Sequence, residues 1–198
     1  MPNTDQTPPI ILASTSRYRR ELLARLGISF TAVAPLCDEE ALKDPSLSPQ
    51  ALAEKLALAK ARSLVEMHPE AIVIGSDQTC ACEGELLHKP GDFANACEQL
   101  TRLSGKTHQL FTAVCLLYGD RQQTHCDITS LTMRRLARVE IERYVAADQP
   151  LDCVGSYKLE QRGIALFSAI DSRDHTAITG LPLMAVAELL RAWGVASP

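Results

Sequence analysis

No apolar run in this 198-residue chain approaches the ~18 residues needed to cross a bilayer. Residues 2–9 are polar and hold no apolar signal core, so neither a secretory leader nor a membrane partner is expected. Internal repeats, low-complexity tracts and coiled-coil heptads are missing as well. So is an excess of basic residues: the formal charge is −4, which argues against a general nucleic-acid binder. The seven cysteines have no scaffold-like spacing, and Cys80 and Cys82 are separated by one residue, not by the two usual in zinc knuckles. Reduced, mostly buried thiols in a cytoplasmic protein are the expectation, with a structural zinc as the alternative.

A hydrophobic content of 46% supplies an ordinary globular core. Residues 1–9 are expected to form a flexible tail and residues 10–198 a single domain. The most informative stretch comes first. Residues 10–13 are apolar and too few for a helix, which suits a buried strand. Small hydroxyl residues follow, Ser14, Thr15 and Ser16. Arg19, Leu22, Leu23 and Leu26 then fall at helix spacing, closed by Gly27. Arg17, Arg19 and Arg20 crowd the first turn, where acidic residues usually sit. Such a cluster suits a phosphate chain, because helix N-termini bind phosphate and Arg adds forked donors. An N-cap serine followed by solvated arginines is the plainer alternative.

Residues 30–34 read as a second strand, followed by the acidic cluster Cys37-Asp-Glu-Glu40. That cluster is either a solvated turn or a carboxylate site for a divalent metal. Ser48-Pro49 starts a helix reaching about residue 67. Leu52, Leu56, Lys60 and Leu64 share one stripe of it, so Lys60 lies on or near the apolar face, either snorkelling to water or pointing into an anion site. Residues 71–78 make a buried strand with Asp77 expected at its end, where α/β proteins build sites. Asp77 there either caps a turn, binds a metal or takes a proton from water. Lys89, restricted by Pro90, suits a fixed charge.

Further along, Asp92 caps a helix through residue 103. Residues 109–118 and 122–133 read as paired strands, and residues 139–147 as a short helix. Residues 153–163 form a polar loop, 164–167 a strand and 171–180 another polar loop. Leu183, Val186, Leu190 and Trp193 face inward on the last helix. Strands and helices interleave, which predicts a mixed α/β sheet covered by helices.

Several stretches together resemble the Maf family of nucleotide pyrophosphatases. They are Ser14-Thr-Ser-Arg-Tyr-Arg-Arg-Glu-Leu-Leu23, Asp38-Glu39, residues 57–61 with Lys60, Gly75-Ser-Asp-Gln78, Lys89-Pro90, Leu103-Ser-Gly105, Gly155-Ser-Tyr157 and Gly180-Leu-Pro182. The resemblance spans nearly the whole chain. It implies an elongated, two-lobed fold of the Maf and inosine-triphosphatase type with a central cleft. It also implies hydrolysis of a nucleoside triphosphate to monophosphate and pyrophosphate with a divalent cation, magnesium, manganese or cobalt. Gln78 and Glu160 are similar to the 7-methyl-GTP branch. Tyr18 stands where that branch usually has Trp, and Arg17 stands where Pro is common. A dTTP/UTP enzyme of the same family, and a non-catalytic nucleotide-binding regulator of septum formation, remain alternatives. A homodimer stays open as an assembly.

The resemblance and the chemistry assign roles together. Asp77 becomes the general base and Glu39 its partner carboxylate, with both as metal ligands. Arg19, Lys60 and Lys89 would hold the phosphates, with Ser14 and Ser16 as further donors. A cationic 7-methylguanine gains from an aromatic face, which Tyr18 offers. A carboxylate such as Glu160 accepts both adjacent donors of guanine, N1–H and the N2 amine, and Gln78 adds to substrate binding.

Overall fold

The computed structural model describes residues 7–196. Residues 1–6 of the expected tail lie outside that range. Pro9, within it, already accepts a backbone hydrogen bond from Ile72.

The core strand β1 (Ile10–Ala13) is buried at all four positions and lies between two parallel neighbours, β2 (Thr31–Val33) and β3 (Ile72–Cys82). Beyond β3 the pairing turns antiparallel, through β5 (Thr107–Tyr118), β6 (Arg121–Met133) and β7 (Phe167–Asp171), while β4 (Glu85–Leu87) pairs with the far end of β3. The result is a seven-stranded mixed sheet in the order β2-β1-β3-β5-β6-β7.

The period-2 alternation of the strands sorts the side chains into separate cores. Ile10, Leu12, Ile72, Ile74, Val114 and Leu116 face α1 (Arg17–Ala24) and α7 (Leu183–Ala192). Ile11, Ala13, Val73, Ala113 and Cys115 face α3 (Pro49–Val65). The far ends of the long strands enter a third core, where Cys80, Cys82, Leu110 and Leu131 meet α4 (Phe93–Leu103) and α5 (Arg138–Asp148). All three cores therefore draw on β3 and β5, and the midpoint of β3 lies between the first two and the third.

Gly75 sets the closest approach of helix to sheet. A Cβ there would stand 2.2 Å from the carbonyl oxygen of Ala57 and 2.6 Å from the nitrogen of Ala61. Only glycine lets α3 settle this deeply, and Lys60 lies on the turn that does so.

Several local expectations change. Asp77 is not at a strand end, because β3 runs on to Cys82 through Ser76, Gln78 and Thr79, each of which finds a partner. The acidic cluster is not a bare turn: Asp38 accepts from Glu40 N–H and Ala41 N–H and starts α2 (Glu39–Leu42). Residues 164–167 are not a strand. Arg162–Leu166 form a 3-10 turn and the strand begins at Phe167. The polar stretch 171–180 contains α6 (His175–Thr179), capped by Asp174 through Thr176 N–H. The seven cysteines are unpaired, and Cys80, Cys82, Cys97 and Cys115 are buried. No helix among the described residues is long and apolar enough to cross a membrane.

Candidate active site

The alternation of β3 divides its polar middle between two neighbours. Asp77 and Thr79 share the face of Gly75 and point toward α3, where Thr79 Oγ1 donates to the Pro49 carbonyl. Ser76 and Gln78 point the other way, to the Gly180 carbonyl and to α6.

Asp77 meets Lys60. The ammonium of Lys60 donates to Asp77 Oδ1 at 2.6 Å, and Glu39 Oε2 lies 3.0 Å from the same nitrogen. Lys60 and Asp77 are 5% and 8% exposed. Glu39, on the short helix α2, is nearly half exposed, so this carboxylate completes the group from the solvent side. Coulomb energies rise as water is excluded, so two anions this close need a cation between them. Lys60 supplies it and keeps one N–H free of these two carboxylates.

Arg19 enters from α1. Its Nε donates to the Gly180 carbonyl at 2.9 Å, the oxygen that also receives Ser76 Oγ at 3.2 Å. That anchor fixes the guanidinium, leaving its terminal nitrogens for another acceptor. Burial lowers its pKa from the ordinary arginine value, and the charges of Asp77 and Glu39 oppose that shift. Arg19 thus belongs to the same electrostatic group as Lys60. Ser16 caps α1 by accepting from Arg19 N–H, and Ser14 Oγ accepts from Ser16 N–H at 3.1 Å. Both hydroxyl protons remain available as donors.

One cavity of about 910 Å³ collects these groups. Its walls hold Ser14, Ser16, Tyr18, Arg19, Glu39, Lys60, Asp77, Gln78, Lys89 and Glu160, ten positions drawn from six separate stretches of the sequence. It opens between the α3 core and the α4–α5 core, with Leu52 and Leu56 on one side and Leu87, Leu110 and Tyr157 on the other. Lys89 and Glu160 are exposed at its edge and make no ion pair among the described residues.

Two placements refine the expected roles. The amide nitrogen of Gln78 is engaged by Thr112 Oγ1 and the carbonyls of Ala177 and Ile178, so only its oxygen is left for the cavity. The arginines of α1 do not act as one cationic cluster. Arg17 folds over the Tyr18 ring, 4.7 Å from its centroid, and donates to the Tyr18 hydroxyl at 2.9 Å.

Lys43, His88 and Tyr157 also line the cavity, although the sequence pattern assigns them no role. Tyr157 is buried and its hydroxyl lies 2.9 Å from His108 Nε2. Its sequence signal is the family-like Gly155-Ser-Tyr157 segment, whose first two residues have positive φ.

Among the described residues, no group of three or more His, Cys, Asp and Glu side chains could hold a metal unaided. Glu39 and Asp77 nevertheless converge on one point. Two carboxylates completed by substrate phosphates are a common donor set for magnesium, so the residues present fit such an ion.

A mixed sheet flanked by helices, with a cation–carboxylate group in a deep cleft, defines an α/β protein built to handle an anionic small molecule. Residues 9–193 match the Maf-like protein family, and the chain belongs to it. Relatives include the 7-methyl-GTP pyrophosphatase of Bdellovibrio bacteriovorus, 52% identical over 91% of this chain and 95% of that one. The 7-methyl-GTP pyrophosphatase of Xanthomonas campestris pv. campestris is 50% identical over 96% and 99%. The HAM1 protein of Coxiella burnetii shares the fold at 12% identity, with a TM-score of 0.53 over 94% of this chain and all of that one.

Proposed function

We propose that this protein hydrolyses 7-methyl-GTP to 7-methyl-GMP and pyrophosphate. The observation that carries the reaction is the Lys60 ammonium bound to both Asp77 and Glu39 at the floor of the cleft. The names of the relatives and the pairing of Tyr18 with Glu160 around one cavity support the substrate.

In this reading Lys60 holds Asp77 Oδ1, which leaves Oδ2 to take a proton from water. The water oxygen attacks the α-phosphorus in line, the bond to the bridging oxygen breaks, and pyrophosphate departs with its charge held by Arg19, Lys60 and Lys89. Ser14 and Ser16 donate to phosphate oxygens at the start of α1. Glu39 and Asp77 would hold a divalent cation together with those oxygens. When bound, that cation neutralises charge on the phosphates. At the other end, Glu160 accepts from guanine N1–H and the N2 amine, and Tyr18 offers its ring to the cationic base. The unpaired thiols fit a reducing, cytoplasmic setting.

Pyrophosphate release across canonical and methylated triphosphates, with magnesium, manganese and cobalt, tests the reading. The expected result is fastest release from 7-methyl-GTP. A clear preference for dTTP or UTP would replace the substrate, and no release from any triphosphate would remove the activity.

A further inference from the structure

Glu160 reads the base in the function proposed above, yet it stands in an exposed stretch without regular secondary structure. A group that discriminates by hydrogen bonding must be held to within about half an ångström, which a free loop does not do.

The restraint comes from both sides. Two residues before Glu160, Lys158 is 8% exposed, and its ammonium donates to the carbonyls of Asp148 and Gln149 at 2.9 and 3.0 Å. These carbonyls end α5, where helical partners run out and the dipole favours a cation. The backbone N–H of Lys158 donates to Tyr144 Oη, on the same helix, at 2.8 Å. Two residues after Glu160, the backbone N–H and guanidinium of Arg162 donate to the Asp148 carboxylate at 3.0 and 2.8 Å. Asp148 is itself 5% exposed.

Glu160 therefore sits midway between two charged anchors fastened to a single helix end. A helix end needs only one such cap, and burying a lysine is costly where an apolar side chain would pack. The extra polarity is explained if the position of the intervening carboxylate matters. We infer that Lys158, with Asp148 and Arg162, is a positioning residue for base selection. It touches neither base nor phosphate and acts on substrate choice through Glu160. The inference rests on the reading of Glu160 as the base-recognising carboxylate.

The test compares Lys158→Met, Lys158→Arg, Glu160→Gln and the double variant Lys158→Met/Glu160→Gln, each checked by thermal unfolding. The readout is the ratio of kcat/KM between the two nucleotides that Glu160→Gln re-ranks most. The clamp predicts that Lys158→Met lowers this ratio by about tenfold or more, chiefly through KM, with kcat on the poorer substrate little changed. Lys158→Arg recovers most of the ratio, and the double variant is no worse than Glu160→Gln alone. An unchanged ratio in folded Lys158→Met, or losses that add in the double variant, overturns the inference, as does a Glu160→Gln that re-ranks nothing. Should Lys158→Met not fold, Arg162→Ala, whose side chain is largely exposed, carries the same prediction and the same refutation. A wild type without preference for 7-methyl-GTP defeats the substrate reading alone, because the ratio does not assume that base.

Discussion

Gly75 and Ala57 meet backbone to backbone: a methyl group on the glycine would lie 2.2 Å from the Ala57 carbonyl oxygen. The same close packing of α3 on β3 puts Lys60, one turn along, against Asp77 two residues further on the strand. A missing side chain thus sets the geometry of a charged pair. Gly75→Ala should therefore do more than destabilise. The helix has to move out by more than an ångström, the Lys60–Asp77 contact opens, and kcat falls by about tenfold or more as a charge-assisted hydrogen bond is lost. Steady-state kinetics on variant that remains folded check this; unchanged kcat would separate the packing from the chemistry.

Lys60→Met isolates the ammonium itself. Asp77 and Glu39 would then face each other with no cation between them. Turnover should fall by about 10–100-fold at saturating metal, as for a lost charge-assisted contact. Binding of manganese in the absence of nucleotide should become tighter, because a divalent ion takes the place of the lysine. Isothermal titration after chelation measures this directly, and weaker manganese binding by the variant would show that Glu39 and Asp77 do not share an ion.

Arg17 already covers the ring that a cationic base would use. Two cations compete for Tyr18, so Arg17→Ala should lower KM for 7-methyl-GTP more than for GTP. A contact of about 0.5–1 kcal/mol at an exposed site corresponds to a two- to fivefold change in that comparison. Equal effects on both nucleotides would place the base away from the ring.

His108 gives the fold an acid-sensitive point. Burial lowers its pKa from the usual 6.5 to about 4, and its Nδ1 has no hydrogen-bond partner among the described residues. The folded protein keeps this imidazole neutral while the unfolded chain protonates near pH 6.5. Stability therefore falls as pH drops from 6.5 toward 4, by at most roughly 3 kcal/mol from this group, and levels off below. Denaturant unfolding from pH 4 to 7.5 should show that slope in the wild type and a flatter one in His108→Gln. Equal slopes would assign the acid response to other groups.

Much of this arrangement was legible in the chain. The apolar run 10–13, the Ser48-Pro49 start and the four-residue stripe through Lys60 each carry their own period or cap, and each forms the expected element. The extension of β3 was hidden because Ser76 to Thr79 are polar. They are polar because their partners are the site and the helices around it, not the apolar core. The helices α2 and α6, four and five residues long, are too short to show a period and are visible only through their Asp caps. The ten candidate residues share the cleft, whereas the anchoring of the segment around Glu160 to α5 is not visible in the sequence. Lys158 and Arg162 lie in a polar loop where a buried cation and a solvated one look alike, and their common partner Asp148 is ten or more positions away.

The most direct test of the account is the rate of pyrophosphate release from 7-methyl-GTP by wild type and Asp77→Asn, both folded and saturated with magnesium. Loss of a positioned general base predicts a fall in kcat of about 100-fold or more. Turnover by Asp77→Asn close to that of the wild type would contradict it.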